Sequence, residues 1–176
     1  IHNVGSVTTA IIILLLIGAL GGTWMLSGVV PSLIYYGLQI IRPEVFLVAS
    51  CVISALVSVM TGSSWTTIAT IGIALMGIGQ AFGFHEGWIA GAIISGAYFG
   101  DKISPLSDTT VLASSAAEVT LFTHIRYMLI TTLPSFVVAL VVFSIAGWGT
   151  AGVTDHQVDA FAHALNVRFC ITPWLL

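Results

Sequence analysis

From Ile1 to Ile41 the chain contains no Asp, Glu, Lys or Arg. Charge-free runs recur over Val45–His85 (His85 aside), Gly87–Gly100 and Tyr127–Thr154. A typical soluble domain is about 25% charged overall; here the figure is 6%, with a mean hydropathy of +1.08. A bilayer-spanning helix needs roughly 20 mostly apolar residues, and two of these runs have room for two passes each. The expectation is an all-α, polytopic membrane protein built as a helical bundle. A signal peptide does not account for the pattern, because its apolar core is short and confined to the start. The first residue is Ile1 rather than Met, and the closing ITPWLL begins another apolar run at Pro173. Both suggest a partial chain of a longer protein.

The runs divide residues 1–148 into about five to six membrane segments. Thr8–Leu20 is a span with a solid Ile/Leu block. It enters GGTWMLSGVVPSLIYYG, where Gly21, Gly22, Gly28 and Pro31 weaken a helix that still has no charge. Unwinding inside the bilayer and a plain hairpin turn both fit. Tyr35 and Tyr36 suit an interfacial belt. Arg42–Glu44 reads as a loop, with Pro43 keeping Arg42 out of helical geometry. Val45–Met60 is a span, TGSSWTT interrupts it, and Ile68–Phe84 continues. His85, Glu86 and Gly87 read as a solvated turn, with a pH-sensing His85 as the alternative. Trp88–Gly100 is the next span. Glu118 reads as a helix end. Thr123, His124 and Arg126 read as a polar link that anchors the final full span, Tyr127–Trp148, which Pro134 can kink. Residues 149–170 read as an extramembrane amphipathic segment, with Val158, Phe161, Ala162 and Leu165 on one stripe. Residues 171–176 would start a further span. Gly pairs four apart, 18/22, 79/83, 87/91 and 96/100, permit close helix approach. Packing is favoured for 96/100, which leads into the most polar motif.

That motif is YFGDKISPLSDTTV, residues 98–111. Ionisable groups within membrane segments are costly and usually face the interior with a task. Asp101 and Lys102 are adjacent, so on a helix they diverge; Lys102 is left to pair with Asp108 or with another acid. Pro105 disfavours helical geometry at Ser104 and suits the first position of a helix. The expectation is a helix ending near 100–103 and another starting at Pro105, with Ser104 as its N-cap and Asp108 in its first turn. Such breaks free backbone carbonyls and amides, and secondary transporters bind ions at them. Carbonyls, the hydroxyls of Ser104, Ser107, Thr109 and Thr110, and a carboxylate make a hard oxygen site suited to an alkali cation. A carboxylate held away from water favours its neutral form, so proton and cation compete for it. A surface loop with Pro as turn former would use the same residues.

In TGSSWTT, five of seven residues carry hydroxyls: Thr61, Ser63, Ser64, Thr66 and Thr67. Gly62 permits unwinding. The cluster is either a second set of neutral oxygen ligands or a capped turn, since hydroxyls also bond back to helix carbonyls. Trp65 reads as an interfacial anchor. The two cysteines, Cys51 and Cys170, are too few for a disulfide framework, and Cys51 reads as a small core residue. There is no basic patch for nucleic acid. No P-loop, zinc spacing, nucleophile elbow or dinucleotide fingerprint is present, so neither an enzyme nor a cofactor is expected.

Four stretches together resemble the NhaC family of bacterial sodium/proton antiporters: GTWMLSGVVPSLIYYG (22–37), TGSSWTTIATIGIALMGIG (61–79), AGAIISGAYFGDKISPLSDTTVLA (90–113) and TLFTHIRYML (120–129). The resemblance covers most of 18–176, and the GDKISPLSDTT block is its most specific part. It implies a secondary antiporter exchanging Na+ for H+ in a bacterial cell (inner) membrane, within an ion-transporter superfamily that uses inverted repeats and broken helices. It implies Asp101, Ser104, Ser107, Asp108 and Thr109 as ion-binding positions, with Thr61, Ser63, Ser64 and Thr67 as a second set. Na+ would sit at Asp101 and Asp108. Its partners would be Na+, H+, the lipid bilayer and the remainder of a longer transporter, without which this chain should not transport; a homo-oligomer is compatible. Some relatives look like malate/lactate exchangers coupled to Na+ and H+. For an organic anion, Lys102 and the amides after Pro105 would receive the carboxylate. A non-transporting membrane scaffold or subunit is the reading from another class.

Overall fold

The computed structural model describes residues 2–150, 163–167, 169 and 171, and among them the regular structure is entirely helical. The order is α1 (His2–Ser27), α2 (Val29–Ile40), a 3-10 turn (Pro43–Val45), α3 (Phe46–Thr61), α4 (Ser64–Ala69), α5 (Ile71–Ala81), α6 (Glu86–Ile103), α7 (Asp108–Ala116) and α8 (Leu121–Thr150). Among the described residues, two stretches, Pro43–Thr61 and Leu121–Trp148, are long and apolar enough to cross a membrane alone, and Leu15–Ser27 with Val29–Ile40 forms a third candidate bent by 68°.

The breaks follow backbone chemistry. The α1–α2 bend turns on Gly28 in the left-handed region; Gly21 and Gly22, the weak points read from sequence, lie within α1. Arg42 is extended before Pro43, as a pre-proline residue should be. Helix α3 stops at Gly62, also left-handed, and Ser63 caps α4 by accepting from Thr66 N at 3.3 Å. The apolar run 68–84 is divided, because Thr70 leaves helical geometry between α4 and α5.

Three sequence expectations need correction, while Pro134 lies within the single helix α8. His85, Glu86 and Gly87 are exposed, as a solvated turn would be, but they open α6 instead: His85 is its N-cap, with Nδ1 accepting from Gly87 N at 3.1 Å. Thr123, His124 and Arg126 are not a link, since α8 already starts at Leu121. Finally, Pro105 does not open a helix. Ser104 ends α6 in extended geometry, and the next helix begins only at Asp108 with Ser107 as its flanking residue. Ser104 Oγ accepts from Leu106 N at 3.1 Å, so it closes a short turn around Pro105.

The core gathers Val30, Ile34, Phe46, Leu75, Ile78 and Ile89 from α2, α3, α5 and α6. Its centre is the α3–α6 pair. A Cβ on Gly96 or Gly100 would overlap the carbonyl oxygens of Cys51 and Ala55, so the 96/100 pair serves close backbone approach. Gly18 and Gly22 face open space. Cys51 is fully buried, as expected. Residues 163–167 are helical and Leu165 packs on the core; Val158, Phe161, Ala162 and Cys170 lie outside the described residues.

Candidate functional site where two helix breaks meet

The α3–α4 and α6–α7 breaks touch. Gly62 lies directly against Leu106: an added Cβ would come within 2.7 Å of the Leu106 carbonyl carbon and oxygen. Only a residue without a Cβ satisfies both this approach and the left-handed backbone. A cross-connection secures the crossing. The buried Ser104 Oγ donates to Val59 O at 2.8 Å, tying the α6 terminus to the last turn of α3.

Asp101 sits in the final turn of α6 at this crossing, half-buried. Its Oδ2 accepts from Ser64 Oγ at 3.0 Å and its Oδ1 from Ser107 Oγ at 2.7 Å. One carboxylate therefore joins the first turn of α4 to the start of α7. Ser107 stands at the N-cap position of α7, yet its side chain makes no cap bond. Its hydroxyl serves Asp101 instead. Thr109 Oγ1 lies 2.8 Å from Ser107 Oγ. A serine has one hydroxyl hydrogen, and Ser107 gives it to Asp101, so Thr109 donates to Ser107. The result is a directed series from the exposed Thr109 through buried Ser107 to the carboxylate.

Around this centre the remaining hydroxyls shape backbone. Thr110 Oγ1 donates to the carbonyls of Asp101 and Lys102 at 3.2 and 3.3 Å, covering the open end of α6. Thr67 Oγ1 donates to Ser63 O at 2.9 Å, and Thr61 Oγ1 lies 3.2 Å from Thr67 Oγ1. Ser63 Oγ also accepts from Thr66 Oγ1 at 3.1 Å. Of the TGSSWTT hydroxyls, only Ser64 reaches the carboxylate; Thr61, Ser63 and Thr67 form the turn behind it. Trp65 is exposed.

Asp108 is placed elsewhere. It is exposed at the first position of α7, and its Oδ1 accepts from Thr109 N at 2.8 Å. An acid there complements the free amides and positive end of the helix. The expected pairing of Lys102 with Asp108 does not form, and Lys102 makes no ion pair among the described residues. The cause is the turn at 104–107, which carries Asp108 onto a separate helix. Lys102 instead borders a cavity of about 230 Å³ between α6 and α8, with Ser95, Tyr98, Thr132 and Ser135, beside the stacked rings of Phe99 and Phe136 at 3.9 Å. Sequence reasoning passed over this cavity, because its α8 residues look like ordinary span positions.

The oxygens at the crossing belong to a carboxylate and hydroxyls, the donor set of hard cations. Among the described residues no cluster of three His, Cys, Asp or Glu exists to favour a transition metal.

Comparison with known proteins gives a consistent picture. Residues 3–148 and 96–175 match the Na+/H+ antiporter family. The chain is 44% identical over 178 residues to a malate-2H+/Na+-lactate antiporter of Bacillus subtilis (strain 168), covering 100% of this chain and 38% of that protein. It is 48% identical over 162 residues to the Na+/H+ antiporter NhaC of Alkalihalophilus pseudofirmus, covering 92% and 35%. The arginine/ornithine antiporter ArcD of Halobacterium salinarum is 44% identical over 138 residues, covering 78% and 28%. The chain thus spans about a third of the length of these curated relatives. No solved structure matches.

Proposed function

The chain belongs to the Na+/H+ antiporter family, and on that premise we propose that it forms the cation- and proton-binding part of a secondary antiporter exchanging Na+ for H+ across a bacterial cell membrane. The observation that carries this reading is the Asp101 carboxylate, held at a crossing of two helix breaks by Ser64 and Ser107. A single carboxylate offers one negative charge. With a proton on it, the charge is gone and the cation has no reason to stay. With Na+ beside it, the proton is displaced, and the hydroxyls of Ser64 and Ser107 turn lone pairs toward the ion. Exchange follows if the crossing faces one side of the membrane at a time.

Membrane vesicles turned inside out, containing the full-length protein and an acid interior, test this. Na+ alone should collapse the pH gradient, and Asp101→Asn should abolish the response at normal membrane levels. A variant that keeps the response removes Asp101 from the mechanism.

A second reading has its own observation. Lys102 has no acidic partner among the described residues and borders a hydroxyl-lined cavity, and one relative is named for malate and lactate. If the gradient collapses only when malate or lactate is added, organic-acid exchange is the function and Lys102→Gln should weaken it. No flux under any condition would leave a non-transporting membrane subunit.

A further inference from the structure

The two oxygens of the Asp101 carboxylate have unequal neighbours. Oδ2 accepts from Ser64 Oγ at 3.0 Å. Ser64 is buried, and its hydroxyl has no second hydrogen-bond partner among the described residues. Oδ1 accepts from Ser107 Oγ at 2.7 Å, and Ser107 is buried as well. The Ser107 hydroxyl, however, has a second neighbour, Thr109 Oγ1 at 2.8 Å, on an exposed residue. Local backbone chemistry keeps Ser107 free for this. A serine at the N-cap position normally accepts from an amide two or three residues on. Here Asp108 Oδ1 takes the Thr109 amide at 2.8 Å, and Ser107 makes no cap bond.

The asymmetry matters when Asp101 changes its load. With Na+ beside the ionised carboxylate, Ser107 can go on donating to Oδ1 and receiving from Thr109 while its second lone pair meets the ion. A protonated carboxyl is different, because its O–H is itself a donor and needs an acceptor. On the Oδ2 side, Ser64 would have to turn its own hydrogen away, and it has no other partner to receive it. On the Oδ1 side, the Ser107 hydrogen can swing to Thr109, and the exposed Thr109 can swing its own to solvent. The series then runs in the opposite direction with both of its hydrogen bonds kept.

We propose that Thr109 and Ser107 form the proton relay of the Asp101 site, loading the proton on Oδ1 through the exposed Thr109 hydroxyl while Ser64 stays fixed on Oδ2. The proposal rests on the reading of Asp101 as the exchange site. Each oxygen takes one hydrogen and passes one on. Hydronium at the surface gives a proton to Thr109 Oγ1, Thr109 gives its hydrogen to Ser107 Oγ, and Ser107 gives its own to Asp101 Oδ1. Only O–H bonds form and break, and release runs the same steps in reverse. The links between the three side chains are direct hydrogen bonds, so no internal water is required. Thr109 is thus a positioning residue acting through Ser107, a task different from the direct ion ligand that sequence resemblance implies.

The test uses the full-length protein in liposomes and compares two activities at saturating Na+. Exchange of radiolabelled Na+ for Na+ needs no proton, whereas Na+/H+ exchange does. Thr109→Val keeps the shape of the side chain and deletes its hydroxyl. It should lower Na+/H+ exchange about fivefold more than Na+/Na+ exchange, the effect of one neutral hydrogen bond. Thr109→Ser returns the hydroxyl without the methyl group and should restore the native ratio of the two rates. Thr109→Ala gives the same comparison where valine disturbs the first turn of α7. Equal loss of both activities, loss of neither, or a serine variant as impaired as the valine one overturns the relay. Asp101→Asn in parallel should abolish Na+/H+ exchange. If it does not, the exchange-site reading fails and takes the relay with it. Failure of the relay alone shows as an inactive Asp101→Asn beside an unchanged ratio in Thr109→Val.

Discussion

Asp101 and Asp108 stand on the two sides of one helix break and share almost nothing else. Asp101 closes a helix, is half-buried, and spends both carboxylate oxygens on hydroxyls from other elements. Asp108 opens a helix, is exposed, and spends one oxygen on the neighbouring amide. The first arrangement depends on two breaks being brought together; the second would occur at the start of any solvated helix. An acid beside a break is therefore informative only when its partners come from elsewhere in the chain.

The largest expected effect sets this contrast directly. Asp101→Asn keeps the side chain's shape and removes its charge, so Na+-driven exchange by the full-length protein should fall about 100-fold or more, equivalent to roughly 3 kcal/mol. Exchange rates in reconstituted liposomes measure it. Equal sensitivity at Asp101 and Asp108 would dissolve the comparison.

Gly62→Ala comes next. The backbone there is left-handed, at a cost of about 1–2 kcal/mol for a residue with a Cβ, and the new methyl would strike Leu106. The breaks should part, with a lower thermal midpoint and a weaker apparent Na+ affinity together. A stable variant with unchanged affinity would show that the contact between Gly62 and Leu106 does not hold Asp101 in place.

How much of this was readable beforehand depended on distance along the chain. The membrane class followed from charge-free runs, because hydropathy is a local property. The end of α6 near Ile103 followed from Pro105, because a proline acts on its immediate neighbour. The restart at Asp108 was missed, since Ser104 Oγ accepts from Leu106 N to close the turn and donates to the distant Val59 O instead of capping a helix at Pro105. Both hydroxyl clusters were visible as composition. Their meeting through Ser64 and Asp101 was not, because nothing in either motif names the other.

Removing the partners one at a time sharpens the contrast further. Ser64→Ala and Ser107→Ala each delete one hydroxyl on Asp101, and a hydrogen bond to a charged group is worth about 1.5–3 kcal/mol. Allowing for water to fill the gap, each should raise the Na+ concentration for half-maximal exchange about tenfold. The pair should fall short of the sum, because both act on one carboxylate. Full additivity would mean that the two serines act on separate steps.

The smallest effect belongs to Asp108→Asn. Asparagine is also a favourable residue at a helix start, and its side-chain oxygen can still accept from Thr109 N. The helix keeps that bond and loses only an exposed charge, which salt largely screens. Apparent Na+ affinity should shift less than about threefold, and the shift should shrink further at high ionic strength. A loss of exchange that persists in high salt would mean that Asp108 meets a part of the full-length transporter that shields it from solvent. The two carboxylates would then act as a pair, and the break itself, rather than Asp101 alone, would be the unit that binds.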